Sequence, residues 1–501
     1  MPCPALPRAL FAALLLTLGA CQADQPPAPG DTVAPPATQD AVGSRTFFIH
    51  DHSRPFDAVG GVDSGVRSLI TEIWYPARVT ADSFHPRYGD YVFGDAGVHR
   101  RMMTATTFFH LTPDSVREGV SQQQMDDAIG ELFQRQRPSW RDAPPREDGQ
   151  SWPVVVVSHG DAGSRYNMAT ASIGLARSGY FVIAADHTGN SPYAMTGRDP
   201  ALSGNSADPA LQQAMSAVLP LLDEHGVYGS IDSYGQSYTP LGRGFSPEGF
   251  AQLDASLLQR VNDLRAVLAQ LEAMNASGPF AGRLDLSRIG LMGRSFGGAT
   301  TLAGLMLEDR FQAGFAVVPP AMPDLRGALP PQLLVKAPAE SAILAAEGPS
   351  ALASLHKPTF ILSGAEDALI LGLGTTLAES AGAPAPSAEH PYPLLEQTVD
   401  NATVPAALAV VQDTNHGSFG VSGPYWWPQL KPDTFPRFFA PGENYTLLDS
   451  EEAHRIQREM AIAFFDYTLR GDSDALDRLR SNPWQEAGTA LQLNAALQAA
   501  Q

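Results

Sequence analysis

The run Ile289-Gly290-Leu291-Met292 leads directly into Gly293-Arg294-Ser295-Phe296-Gly297, and that into Gly298-Ala299-Thr300-Thr301-Leu302-Ala303-Gly304. An apolar run, a G-x-S-x-G pentapeptide and a stretch of small residues describe a strand, a sharp turn and a helix. That is the setting in which a serine hydroxyl is pushed out of the backbone as a nucleophile. The pentapeptide occurs once. In a chain with 45 Gly it can also arise as a turn that only packs, so its surroundings carry more weight than the match itself.

The surroundings are a repeated alternation of strand and helix. Strand-like runs fall at Thr46–His50, Leu69–Tyr75, Val154–Ser158, Phe181–Asp186, Ile289–Gly293, Gly314–Val318, Thr359–Ser363 and Ala407–Gln412. Several are unbroken Val, Ile, Leu or Phe, as expected of strands buried on both faces of a parallel sheet. Helical patterns lie between them. Phe250–Met274 carries Leu253, Leu257, Val261, Leu264, Leu268 and Leu271 on one stripe, and Met168–Ser178 follows the third strand. Ser450–Leu469 opens with Asp449 and Glu452 as a capping pair. The expected fold is therefore α/β, a mostly parallel eight-stranded sheet flanked by helices with right-handed crossovers. Three connections are longer than such a sheet needs: 77–151, with a polar helix near Asp114–Arg137; 187–246, with a short helix near Ala210–His225; and 417–441, with Tyr425-Trp426-Trp427. Such insertions read either as surface decoration or as walls of a cleft above the strand ends, and the last two favour the cleft because they directly follow strands four and eight.

The amino terminus reads as a targeting segment. Arg8 supplies positive charge, and Ala9 to Ala20 is apolar but too short to span a bilayer. The sequence Leu18-Gly19-Ala20-Cys21 resembles a bacterial lipobox, which implies removal of residues 1–20 and lipidation of Cys21. The alternative is an ordinary secretory signal. Gln22 after the Cys favours the outer membrane in such lipoproteins. Residues 21–44 are rich in Pro, Ala, Asp and Gln and read as a disordered tether. The folded domain is then expected over 45–475, with a tail over 476–501. The other Cys is Cys3, inside the removed segment, so a Cys nucleophile or Cys-ligated metal is excluded. The net charge of −20 argues against nucleic acid as a partner, since nothing would replace the counterions of a phosphate backbone.

A serine nucleophile needs a base, and the base needs a carboxylate to hold its tautomer. On a strand–turn–helix nucleophile of this kind the chain order is Ser, acid, His. Ser363-Gly364-Ala365-Glu366-Asp367 follows the seventh strand and Asp413-Thr414-Asn415-His416 follows the eighth. Both are carboxyl ends of strands, where sites assemble in open α/β sheets. Ser295, Asp367 and His416 thus come in order and on suitable loops. Glu366 and Asp413 are the rival acids; His356 and His390 are poorly placed as bases. An oxyanion hole needs two backbone donors. One is expected from Phe296 at the helix start, the other from Asp161 in the glycine-rich loop Ser158-His159-Gly160-Asp161-Ala162-Gly163.

These residues resemble the α/β-hydrolase superfamily, and within it the platelet-activating factor acetylhydrolase and dienelactone hydrolase group. The resemblance rests on Ile73-Trp74-Tyr75-Pro76, Val157-Ser158-His159-Gly160, Gly293 to Thr300, Gly364 with Asp367, and His416, with Asp51 and Ser53-Arg54 also fitting. It implies a serine esterase acting on a short acyl chain of a phospholipid or related ester, without metal or organic cofactor, and a membrane tether through Cys21. It also implies Asp161 and Phe296 as the oxyanion donors. An acidic residue at Asp161 departs from the small or apolar residue common there and puts a carboxylate near the cleft. Polyester, lactone or carbohydrate esters fit the same triad, and a non-catalytic envelope lipoprotein is the reading from another class.

Overall fold

Unbroken apolar runs become strands with no exposed face. In the computed structural model, which describes residues 41–91, 121–191, 208–218, 220–221, 236–240, 244–325, 341–343 and 348–500, they form one ten-stranded sheet. The expected signal segment, Cys21 and the tether up to residue 40 lie outside the described residues, as do parts of 77–151 and 187–246. The strands are β1 (Val42–Asp51), β2 (Arg67–Pro76), β3 (Trp140–Arg141), β4 (Trp152–Ser158), β5 (Phe181–Ala185), β6 (Leu284–Arg294), β7 (Phe311–Val317), β8 (Thr359–Gly364) and β9 (Ala406–Val411). A separate hairpin pairs β10 (Phe435–Pro436) with β11 (Asn444–Tyr445), and β12 (Thr489–Leu493) closes the set. The sheet order is β12-β9-β8-β7-β6-β4-β5-β2-β1-β3. Strands β5, β4, β6, β7, β8 and β9 run parallel, so their carboxyl ends share one edge. The antiparallel β2 and β12 flank this block.

The helices are α1 (Gln122–Gln134), α2 (Ala169–Arg177), α3 (Pro209–Ser216), α4 (Pro247–Ala276), α5 (Phe296–Leu307), α6 (Ala368–Ala381), α7 (Pro393–Asp400), α8 (Ser450–Arg470), α9 (Ser473–Ser481) and α10 (Ala495–Ala499). Alternate side chains of each central strand enter opposite layers. Val155 and Val157 pack with α2 and α8 on one face, while Val154 and Val156 pack with α4 on the other. Phe464 and Phe465 of α8 meet Phe315 of β7, whose ring also stacks on Phe360 of β8 at 5.1 Å. Asp449 caps α8 by accepting from the Glu451 and Glu452 amides, as the sequence suggests.

Two expected boundaries are corrected. The fold begins at Val42, which pairs with Pro76, so the strand starts inside the stretch assigned to the tether. Residues 476–500 are no tail. They complete α9, add β12 antiparallel to β9, bury Trp484 and include α10. Two more strands than the expected eight are present because β3 and β12 are short edge strands. The Thr-Ala-Leu-Gln-Leu of β12 has too little apolar content to read as a buried strand.

Candidate active site

The turn after β6 is tight because its glycines leave no alternative. A Cβ on Gly297 would stand 2.0 Å from the Ser158 carbonyl oxygen, and one on Gly293 would stand 2.1 Å from that of Gly297. Between them Ser295 is held at φ 57°, ψ −122°, an uncommon backbone state for a residue with a side chain, while its amide donates to the Val317 carbonyl at 2.8 Å. Ala162, Val318 and Asp413 share this positive φ, on the loops after β4, β7 and β9. Each such residue costs about 1–3 kcal/mol. Four of the six such residues among those described gather at these strand ends, while Asp142 and Asn482, of types that tolerate this state, lie elsewhere.

Ser295, Asp367 and His416 meet there. His416 Nε2 lies 3.0 Å from Ser295 Oγ, and His416 Nδ1 lies 2.8 Å from Asp367 Oδ2. With its proton on Nδ1, His416 donates to Asp367 and is left to accept from the Ser295 hydroxyl. Asp367 is fully buried and does double work: its Oδ1 caps α6 by accepting from the Ile370 amide at 3.1 Å. His416 opens a short turn capped by Asn415, whose Oδ1 accepts from the Gly417 amide and whose own amide donates to Ser418 Oγ. Burial pushes the His416 pKa below the usual imidazole value; Asp367 raises it and Arg294 lowers it further. The rival acids point away. Glu366 and Asp413 both pair with Arg437, at 2.6 and 3.0 Å. His390 pairs with Glu396 on the surface.

The loop after β4 crosses close to Ser295, so that a Cβ on Gly160 would be 3.1 Å from Ser295 Cβ. Asp161 and Phe296 both line the cleft with Ser295 and His416. The Phe296 amide is the first of α5, where no intrahelical acceptor exists, and no side chain caps that helix. The Asp161 carboxylate accepts at Oδ1 from Asn190 and Gln236, both at 2.6 Å, and burial raises its pKa.

A sheet of this order, a strained serine between strand and helix, and a buried acid and histidine on the next two strand ends decide the architecture. This is the α/β-hydrolase fold. Its cleft encloses about 950 Å³, open mouth included, with walls from Phe245, Leu253, Met322, Leu352, Ile370 and Leu373, and with Leu369 exposed at 40%. The insertion over 187–246 contributes Pro240 and Phe245 to these walls, as expected. The one over 417–441 does not. Trp426 and Trp427 turn into the opposite layer and pack with Ile129 and Leu132 of α1 and with Tyr88. Aromatic residues in a loop read equally as cleft or core, and here the core wins. The walls from Pro320, Ala321, Met322 and Leu352, after β7, had no signal in the sequence.

A second Ser–His–Asp chain lies beneath the hydrolase site. Ser158 Oγ is 2.9 Å from His187 Nε2, and His187 Nδ1 is 2.9 Å from Asp263 Oδ2. All three residues are buried. Burial, with Arg260 nearby, takes His187 to a pKa of about 3. Asp263 resists the upward push of burial because Arg67 and Arg54 hold it well below the usual carboxylate range. This chain braces the loop after β4, and its three members are too far apart along the chain to be read as a unit.

Among known families, the model for platelet-activating factor acetylhydrolase, isoform II, matches residues 121–210 and 256–324. Those segments carry the loop after β4 and the nucleophile turn, and end before Asp367 and His416. A solved structure of a ferulic acid esterase from Streptomyces cinnamoneus is similar at 21% identity with a TM-score of 0.49, covering 88% of this chain and 93% of that one. Comparison with curated proteins gives no match.

Proposed function

We propose that this α/β-hydrolase is a serine carboxylic-ester hydrolase using Ser295, His416 and Asp367. The observation that carries the reading is the continuous Ser295–His416–Asp367 chain of hydrogen bonds opening into an apolar cleft. Ser295 Oγ attacks the ester carbonyl as His416 Nε2 takes its proton, and Asp367 stabilises the imidazolium. The Phe296 and Asp161 amides receive the oxyanion. His416 then returns the proton to the leaving alcohol. Water attacks the acyl-enzyme with His416 again as base, releasing the acid and restoring Ser295.

The substrate class we infer is a short acyl ester of phospholipid type. The partial match to the acetylhydrolase model supports it, as does a cleft whose walls are almost wholly apolar. Lipidation at Cys21 would hold the domain beside a membrane, which suits such a substrate. Hydrolysis of nitrophenyl esters of rising acyl length, beside a phospholipid with a short acyl group at its second position, tests the reading. Acetyl preference supports it. Rising activity with chain length moves the substrate to longer lipids, and no turnover by the wild type overturns it. The mass of the mature amino terminus from cells that process lipoproteins tests the anchor.

A further inference from the structure

Arg260 lies within α4, fully buried, and among the described residues its hydrogen bonds go to neutral acceptors rather than to a carboxylate. A buried cation held by neutral acceptors is expensive, and burial lowers its pKa only to about 10, so it stays charged at neutral pH. Its contacts converge on one place. Nη2 donates to the His159 carbonyl and, at 3.2 Å, to Ser158 Oγ, fixing the peptide that leads into Gly160 and Asp161. Nη1 donates to Asn190 Oδ1 at 2.5 Å, and Asn190 Nδ2 donates to Asp161 Oδ1 at 2.6 Å. The guanidinium also lies over the Phe296 ring, 4.7 Å from its centroid. One side chain thus touches the residue on one side of the nucleophile directly and grips the loop on the other side twice.

We propose that Arg260 is a positioning residue that aligns the Phe296 and Asp161 amides as a pair of oxyanion donors. The inference rests on the ester-hydrolase reading above. The two donors come from separate parts of the chain, the start of α5 and the loop after β4. Pairing of Ser158 with Gly293 and the packing of Gly297 on the Ser158 and His159 carbonyls bring the two segments together. Arg260 adds a side-chain link between them through a flat, rigid group whose two edges and one face are each committed to a different neighbour. An oxyanion donor displaced by a fraction of an ångström loses its effect in the transition state while leaving substrate binding in the apolar cleft intact.

The test compares wild type, Arg260→Met and Arg260→Lys on a nitrophenyl ester. Each is also titrated with a trifluoromethyl ketone, which forms a tetrahedral adduct on the serine, and with the product acid, which does not. Arg260→Met is expected to lower kcat roughly 10- to 100-fold with KM nearly unchanged. Ketone affinity should fall by the same factor as kcat/KM and product affinity should hold. Arg260→Lys, able to reach only part of the acceptor set, should fall between. Should Arg260→Met fail to fold, Asn190→Ala cuts the arm to Asp161 and Phe296→Leu removes the ring but keeps the amide. Each should weaken the ketone more than the product. Unchanged ketone affinity in folded Arg260→Met, or in both single-arm variants, overturns the proposal while active wild type leaves the hydrolase reading standing. Inert wild type overturns both.

Discussion

Arg294 Nη2 donates to the main-chain carbonyl of His416, so the residue preceding Ser295 holds the backbone of the proposed base. Arg294 is buried, its pKa lowered to about 10 by that burial, and Gly420 passes so close that a Cβ there would be 2.9 Å from its Nε. Arg294→Met should remove the hydrogen bond to the His416 carbonyl and cost about 1–3 kcal/mol of stability. It should also move a titration. Burial lowers the His416 pKa and the Arg294 charge lowers it further. Catalysis needs neutral His416, so kcat/KM rises with pH through that value. Without Arg294 the value rises, and the acid limb should shift to higher pH. A limb that stays put while the protein is destabilised would show that Arg294 acts on structure alone.

Asp367→Asn should shift the same limb the other way. The Asp367 carboxylate raises the His416 pKa, so its neutralisation lets burial pull the value lower and the limb move to more acid pH. On the plateau kcat should drop by roughly four orders of magnitude, since an amide no longer holds the required tautomer. Stability should change little, because Asn replaces Asp well as the cap of α6. Opposite shifts in the two variants, read from kcat/KM profiles under the same conditions, would identify His416 as the titrating base.

The parts of the site that sequence reading reached are those fixed by local geometry. Gly293 and Gly297 are dictated by a turn with no room for side chains, and Asp367 and His416 by falling just after strands. Glu366 and Asp367 are neighbours of identical charge, and Arg437 and the Phe438 amide, brought across by the fold, hold Glu366 away. Arg260 was hidden for a related reason. It sits in α4 among Leu257, Val261 and Leu264 and reads as one more helix residue, since its partners Asn190, His159 and Phe296 are brought to it only by the sheet. Val42, at the start of β1, and the residues of β12 carry little apolar signal of their own and become strand by pairing with β2 and β9.

Gly297→Ala is predicted to destabilise by about 3 kcal/mol, with loss of turnover in whatever folds, because its Cβ would press on the Ser158 and His159 carbonyls. Both are backbone atoms of the loop that carries Asp161, and neither can rotate aside. Gly130→Ala is the matched control. It lies inside α1 with nothing within 4 Å of an added Cβ, so it should stabilise by about 0.5–1 kcal/mol through helix propensity alone. Thermal or urea unfolding of the two variants reads both signs.

The two Ser–His–Asp chains give the sharpest contrast, since their distances are nearly equal and only their surroundings differ. Ser295 borders the cleft, and although a carboxylate raises the pKa of each histidine, His187 also faces Arg260 and Arg67, which lower it. Ser158 is fully buried, and His187, at a pKa of about 3, is too weak a base to activate it at neutral pH. A fluorophosphonate probe should therefore label Ser295 and leave Ser158 untouched. Ser295→Ala should abolish labelling and reduce turnover by roughly four to six orders of magnitude, with the fold retained, since Ser295 contributes strain and no core packing. Ser158→Ala should keep labelling and lose less than about tenfold in turnover, the small loss coming from the weakened brace under the loop after β4. Labelling that survives Ser295→Ala, or vanishes with Ser158→Ala in a folded protein, would reassign the nucleophile.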